Sequence, residues 1–452
     1  MKAVLITFLL SSIIFSSDLF SLSANFGTKY FSKGSIYNVN ENINVKMYSA
    51  DLTIQREIRS LLFKSQFDFL VGDNIMDSLI YFDPYLNVEN SRGFQNNHKR
   101  WYQFSSAEVN YKKNEFLMYF GKLKRFYGEG NSSLILSRNA PSFPQAGFVW
   151  DITNNLSFEY LNGILLSQIK DTTSIKLYSN IGKRNTNYSR SVAAHKIEWN
   201  ITENLKFCAV ELIIFGNRSI DYTYLIPFIP FWSAQSYNGD IDNLQLFGEI
   251  CYLKDKTKIY SSLFIDEWRP EWTFDKINRN WFGYQLGFNK SNFLKKNDNL
   301  QFEYTWTDHR IYRHRFPIND SYSSGYSLGF WAGPHSEECL FIYKITANNF
   351  TINFQATNVK RGELTNKMLN EQYNESQEAD FYRRYNNIHE SRAIYSIKVE
   401  KKVLVKSKVY LESQFIAWKN PGFNPRVPYM KEDYIEKLSF NVGLDYHVSL
   451  KL

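Results

Sequence analysis

Cysteine is nearly absent. The three residues, Cys208, Cys251 and Cys339, form no CxxC pair and fit no zinc spacing, so a disulfide scaffold and a zinc finger are both excluded. One pair plus a free thiol, or three isolated thiols, remain open. With no cysteine before Cys208, lipidation just after a leader is excluded. Glycine (21 of 452 residues) and proline (11) are scarce, which rules out collagen-like and Pro/Gly-rich disordered chains. Beyond the N-terminus no apolar run approaches the ~18 residues of a membrane helix, and mean hydropathy is −0.40. A polytopic helical membrane protein is excluded; a barrel, whose strands alternate, is not. There is no Lys/Arg block interleaved with aromatics, so no nucleic-acid surface is expected. The net charge of +8 reflects lysine spread along the whole chain.

Aromatic residues, in contrast, are abundant: 37 Phe, 31 Tyr and 10 Trp, residues that favour strands. The N-terminus reads as a secretory signal, residues 1–24, with Lys2 as the basic region, Ala3–Phe15 mostly apolar, and a small-residue site near Ser21-Leu22-Ser23.

The C-terminal segment carries the clearest pattern. Even positions from Leu438 to Leu452 are all apolar or aromatic, and no odd position from Ser439 to Lys451 is. Period 2 over that length is a strand with one apolar and one polar face, longer than the usual ~5–6 residues. Similar alternation recurs at 282–288, 300–306 and 350–356, with further candidate strands at 192–199, 244–252, 257–266, 324–331, 394–401 and 409–418. A soluble sandwich shares this alternation. The export signal, the terminal strand and the number of strands favour an all-β, antiparallel transmembrane barrel in the bacterial outer membrane. Residues 79–452 accommodate roughly 16–18 strands.

Residues 25–78 are expected to be a periplasmic or plug segment, because Ile54, Ile58, Leu61 and Leu62 share a helical face near 50–65. With both termini periplasmic, 419–433 and 360–393 become extracellular, 402–407 and Asn348-Asn349 periplasmic turns. The same count puts 308–323 on the periplasmic side, which is unusual for so long a segment.

A series of short motifs follows: Gly128-Glu129-Gly130, Leu134-Ile135-Leu136-Ser137-Arg138-Asn139-Ala140-Pro141, His195, Glu211, Tyr224-Leu225-Ile226-Pro227, Asp242-Asn243, Asp266-Glu267, Glu303-Tyr304-Thr305, Tyr312-Arg313-His314, Gly333-Pro334-His335-Ser336 and Arg361-Gly362. Their order and spacing resemble the Wzi-like capsule assembly proteins. That resemblance implies an 18-stranded barrel blocked by a periplasmic helical part. It also implies a lectin-like role, holding capsular or other surface polysaccharide at the cell surface, with no catalysis. Outer-membrane lipid, lipopolysaccharide and the barrel assembly machinery would be the other partners of a monomer.

Individual residues are read on that basis. Phe423, Arg426 and Tyr429 in one outer loop, and Arg383, Arg384 and Tyr385 in another, supply aromatic faces for sugar rings and guanidinium groups for uronates. Asp266, Glu267, Glu303 and Arg361 read as a charged lumenal network rather than an acid–base pair. His309 and His314 lack a third ligand, so no metal and no cofactor are expected. The principal alternative is a porin or substrate-specific channel; a hydrolase ranks last, for want of a catalytic constellation.

Overall fold

The computed structural model describes residues 20–38, 43–75, 90–93, 99–171, 187–218, 221–268, 280–365, 384–385, 387–421, 423–424 and 433–451. The first half of the chain contributes β1 (Phe20–Phe31), β2 (Val45–Ile58), β3 (Leu61–Asp73), β4 (Asn90–Gly93), β5 (Lys99–Lys113), β6 (Phe116–Leu123), β7 (Phe143–Thr153), β8 (Leu156–Lys170), β9 (Asn187–Thr202) and β10 (Leu205–Gly216). Then come β11 (Asn243–Lys254), β12 (Thr257–Glu267), β13 (Trp281–Ser291), β14 (Asp298–Thr307), β15 (Tyr322–Ser323), β16 (Tyr326–Ser327) and β17 (Ser336–Ala347). The chain closes with β18 (Phe350–Arg361), β19 (Glu390–Leu404), β20 (Ser407–Lys419) and β21 (Tyr434–Lys451).

Eighteen of these form a closed antiparallel barrel, each paired with its neighbour in sequence order. Closure is made by β1 against β21, from Ser21↔Lys451 to Phe31↔Asn441. Closure satisfies every strand edge internally, which a lipid environment demands. The short β4 lies on the free upper edge of β5, and β15–β16 is a small separate hairpin.

Alternation sets the two faces. On β21, Leu438, Phe440, Val442 and Leu444 are exposed on the outside, while Ser439 and Asn441 are buried in the lumen. The turns at the end where β1 begins are short. Asp255 and Lys256 both take positive φ, as a two-residue type I′ turn requires, and Asn348 does so in the next such turn but one. All long connections lie at the opposite, outer end, matching the polarity of outer-membrane barrels.

Three sequence expectations change here. The helix near 50–65 is the β2–β3 hairpin, turning at Arg59 (φ 55) and Ser60. Its helical spacing is accidental: Ile54 and Ile58 share one face of β2, and the turn then reverses the chain. Among the described residues the barrel therefore starts with Phe20, not near 79, and both residue 24 and the expected cleavage site fall inside β1. Residues 324–331 are not a barrel strand; they hold the turn and the second strand of the β15–β16 hairpin. Counting them as a strand is what misplaced 308–323; the whole connection 308–335 belongs to the outer end.

Candidate functional site

Two of the outer connections turn inward. Residues 124–142, between β6 and β7, and 308–335, between β14 and β17, pack together inside the lumen. Leu134, Ile135 and Leu136 are buried with Tyr312, Leu328 and Phe330, and the cluster leans on the lumenal side of β8–β12 through residues such as Val192, Leu212 and Phe264. There the wall is apolar; a water-filled lumen would favour polar residues at those positions.

The two loops are bound to each other through backbone groups. Ser137 donates its N–H to Leu328 O and its hydroxyl to Gly329 O, both at 2.7 Å. The Tyr312 hydroxyl donates to Leu134 O at 2.6 Å and accepts from Phe330 N at 3.0 Å. Approach is so close at Gly329 that a Cβ would lie 2.3 Å from Leu134 O, so no other residue fits.

Carboxylates on the wall fasten both loops. Glu303 on β14 accepts from Asn131 N at 2.6 Å and Ser132 N at 3.3 Å. Glu249 on β11 accepts from Glu129 N at 3.2 Å and from the Ser262 hydroxyl at 2.7 Å. Asp266 on β12 accepts from Gln245 at 3.0 Å and from the backbone N–H of Tyr312. Glu338 on β17 accepts from Trp331 Nε1 at 2.9 Å. Buried carboxylates are tolerated because backbone amides meet them with charge-assisted hydrogen bonds.

Charges of alternating sign run along the wall and tie the first loop to it at both ends of the row. Lys258 pairs with Glu129 at 3.2 Å, Glu129 with Lys206 at 3.2 Å, Lys206 with Glu198 at 2.9 Å, Glu198 with Lys196 at 3.3 Å, Lys196 with Glu159 at 3.5 Å, and Glu159 with Arg125 at 3.7 Å. Across the lumen, bordered by the two ends of the first loop, a cavity of about 540 Å³ is lined by Lys29, Asp51, Lys64, Asp68, Glu108 and Arg125. A second, of about 590 Å³ at the inner mouth, shares Lys29, Ser49 and Asp51 with it. On the outer side a cavity of about 500 Å³ is lined by Asn139, Arg190, Arg313, Tyr326, Trp331 and Arg361.

In residues 308–335 three histidines and one aspartate are held away from their ordinary ranges. Burial pushes His309 down to about 4, reinforced by Arg310 and Arg384 and opposed by Asp308. Burial and Arg315 take His314 to about 4, and burial takes His335 to about 3, against its hydrogen bond to Glu363 O. Burial alone would raise Asp308, but Arg310 at 2.9 Å, with His309, holds it below the usual carboxylate range.

The sequence candidates divide accordingly. Asp266 and Glu303 are lumenal anchors. Glu267 is exposed at the end of β12, and Tyr304 faces outward, donating its hydroxyl to Glu337 at 3.1 Å. Arg138 lies exposed over the Phe126 ring, and Asn139 lines the outer cavity. His314 accepts from Phe316 N at 3.1 Å within its own loop. Arg361 is buried in an ion pair with Glu390, which also accepts from Trp418 Nε1 at 2.8 Å. Phe423, whose carbonyl accepts from Arg361 at 3.4 Å, is fully buried, so its ring offers no face to a sugar. Arg384 and Tyr385 fold over the rim, Arg384 donating to Thr307 O at 2.8 Å and Ser336 O at 3.1 Å, and Tyr385 stacking on His335. Arg383, Arg426 and Tyr429 lie outside the described residues. Cys208, Cys251 and Cys339 are unpaired, and among the described residues no His/Cys/Asp/Glu group gathers as a metal site. Glu249, Lys196, Lys206 and Arg125 were not anticipated; the signal for the first three is a charge at an inward position of a strand.

The protein is an outer-membrane β-barrel whose lumen is narrowed by two of its own outer connections. No family model matches the chain, and no curated protein does. Solved structures match over nearly their full length. Pseudomonas aeruginosa OpdK, solved with vanillate, is 8% identical, with 95% of this chain and 99% of that one covered and a TM-score of 0.50. Acinetobacter baumannii OccAB2 is 11% identical over 95% and 98%, with a TM-score of 0.49, and P. aeruginosa OprD 11% over 95% and 95%, at 0.44. These neighbours are porins of the OprD/Occ family, not Wzi-like capsule assembly proteins, and the resemblance drawn from the motif series is corrected on that finding. The motifs have a structural cause: Leu134-Ile135-Leu136, Asp266, Glu303 and Tyr312 are the residues that infolding of two loops requires.

Proposed function

We propose that the protein is a selective channel for small polar or charged solutes across the outer membrane. The observation that carries this reading is one-sided filling: the loops pack on the β8–β12 wall and leave a charged cavity of about 540 Å³ along β2, β3 and β5. A barrel of this strand number encloses more space than its own side chains fill. Infolded loops held by buried carboxylates are a means of setting a fixed aperture. Facing charges of both signs favour hydrated, charged solutes over apolar ones. The chain carries out no chemistry on what passes, and needs no cofactor.

The test is single-channel conductance of the refolded full-length protein in planar bilayers. Stepwise current that rises when residues 126–141 are replaced by a short Gly/Ser linker supports the channel. Silence in both forms overturns it.

A further inference from the structure

The connection between β10 and β11 does not stay above the barrel. Its two short helices, α1 (Tyr222–Leu225) and α2 (Phe231–Tyr237), lie against the outside of the wall. Phe231 stacks on outward-facing His195 at 3.9 Å, Phe228 packs on Phe158 at 5.4 Å, and the Tyr160 hydroxyl donates to Tyr224 O at 2.8 Å. Beneath them Glu211, also outward-facing, accepts from Trp232 N at 3.0 Å and lies 3.3 Å from His195 Nδ1.

The depth of this layer follows from the wall itself. Towards the inner end of β9, outward Ile197 and Trp199 are exposed; towards the outer end of β8, outward Ile164 is exposed. The layer therefore sits within the apolar belt, with bare lipid-facing surface above and below. Its sequence suits that position. From Tyr222 to Gly239 there is no charged residue, whereas Arg218 and Asp221 precede it and Asp240 and Asp242 follow.

Irregular backbone is not tolerated in hydrocarbon unless its polar groups are satisfied. Pro227 and Pro230 have no N–H to satisfy. Thr223 and Tyr224 donate to Asp221, Ile229 to Ile226 O, Ser233 and Ala234 to Pro230 O, and Asn238 to Ala234 O. The strap also covers Glu211, whose bare carboxylate on a lipid-facing wall would be costly.

We propose that residues 221–239 form an external strap embedded in the membrane, and that its outward face is solvated by lipid acyl chains. That face is Tyr222 (80% exposed), Phe228 (65%), Trp232 (62%) and Tyr237 (85%). It continues the barrel's own lipid-facing belt, with aromatic rings of the kind that border membranes. The strap depends on the barrel's place in the membrane and not on whether the lumen conducts.

A nitroxide label at Trp232→Cys tests this, in a background with Cys208→Ala, Cys251→Ala and Cys339→Ala, in phosphatidylcholine vesicles. Power saturation is read with oxygen, which concentrates in acyl chains, and with a nickel chelate, which stays in water. Asp240→Cys, at the charged bracket, provides the aqueous reference. Oxygen relaxing the Trp232→Cys label several-fold more than nickel does, with the reverse at Asp240→Cys, is the expected result. Nickel dominance at both sites means the strap lies in water and overturns the proposal. Exclusion of both reagents with dipolar coupling between labels means a second copy covers the face, and overturns it equally. If Trp232→Cys does not assemble, as judged by heat-modifiable migration, Tyr237→Cys is read in its place.

Discussion

Asn131 donates its backbone N–H to Glu303 Oε2 at 2.6 Å, joining residues 172 positions apart in the chain. The same carboxylate takes the N–H of Ser132 and the hydroxyl of Tyr260. One acid on β14 thus fixes how far the first loop projects into the lumen. Glu303→Gln replaces an acceptor-only group by one with its own donors and leaves a buried amide poorly met. The expected loss is about 1–3 kcal/mol of loop anchoring. In bilayers this is expected to appear as larger and noisier current than in the parent; an unchanged trace would mean that Glu303 does not set the aperture.

Tyr312→Phe removes the hydroxyl between Leu134 O and Phe330 N and leaves both backbone groups buried and unmet. The cost is again about 1–3 kcal/mol, confined to the contact between the two loops. Limited proteolysis within 308–335 is expected to accelerate while the heat-modifiable shift of the barrel is retained. Gly329→Ala, which places a methyl group against Leu134 O and the Tyr312 hydroxyl, is expected to act in the same direction and more strongly.

Lys206 stands between Glu129 and Glu198. Lys206→Met removes one positive charge and leaves Glu129 to Lys258 and Glu198 to Lys196, so the row becomes more negative by one. The reversal potential in a potassium chloride gradient is expected to move towards cation preference. Glu198→Gln is expected to move it the other way. Movement of both variants in one direction would mean that this row of charges does not face the path of the ions.

Acid is expected to loosen the second loop. His309, His314 and His335 have folded pKa values of about 4, 4 and 3, below the ordinary ~6.5. With folded values depressed, the released loop binds more protons than the packed one between pH ~6.5 and ~3, so its stability falls as pH drops through that window and levels off below it. Hydrogen exchange of amides in 308–335 is expected to speed up more between pH 6.5 and 4 than chemistry alone dictates. His335→Gln is expected to reduce that excess.

How much of this could be read from the chain depended on whether neighbours in sequence were also neighbours in space. The alternation of β21 is local, so the strand and its two faces were legible, and with them the barrel. The β2–β3 hairpin was not, because Ile54, Ile58, Leu61 and Leu62 satisfy a helical spacing by coincidence across a two-residue turn. Asp266, Glu303 and Arg361 were recognisable as buried charges, since ions at inward positions call for partners. That the partners of the two acids would be backbone amides of residues 131, 132 and 312 was not legible: infolding depends on contacts more than 40 positions apart. Phe423 shows the limit from the other side, as an aromatic residue in an outer loop reads equally as a ligand platform or as a wedge, and its full burial, with Arg361 donating to its carbonyl, makes it the second.

The seam between β1 and β21 has a kinetic corollary. It joins the two described strands farthest apart in the chain, so the ring cannot close until β21 has been made. A chain shortened before Tyr434 would present β1 and β20 as two open edges, with no water in the bilayer core to satisfy them. The ring thereby registers its own completion: a fragment, however well its other strands pair, keeps an adhesive flank and is marked for aggregation or removal.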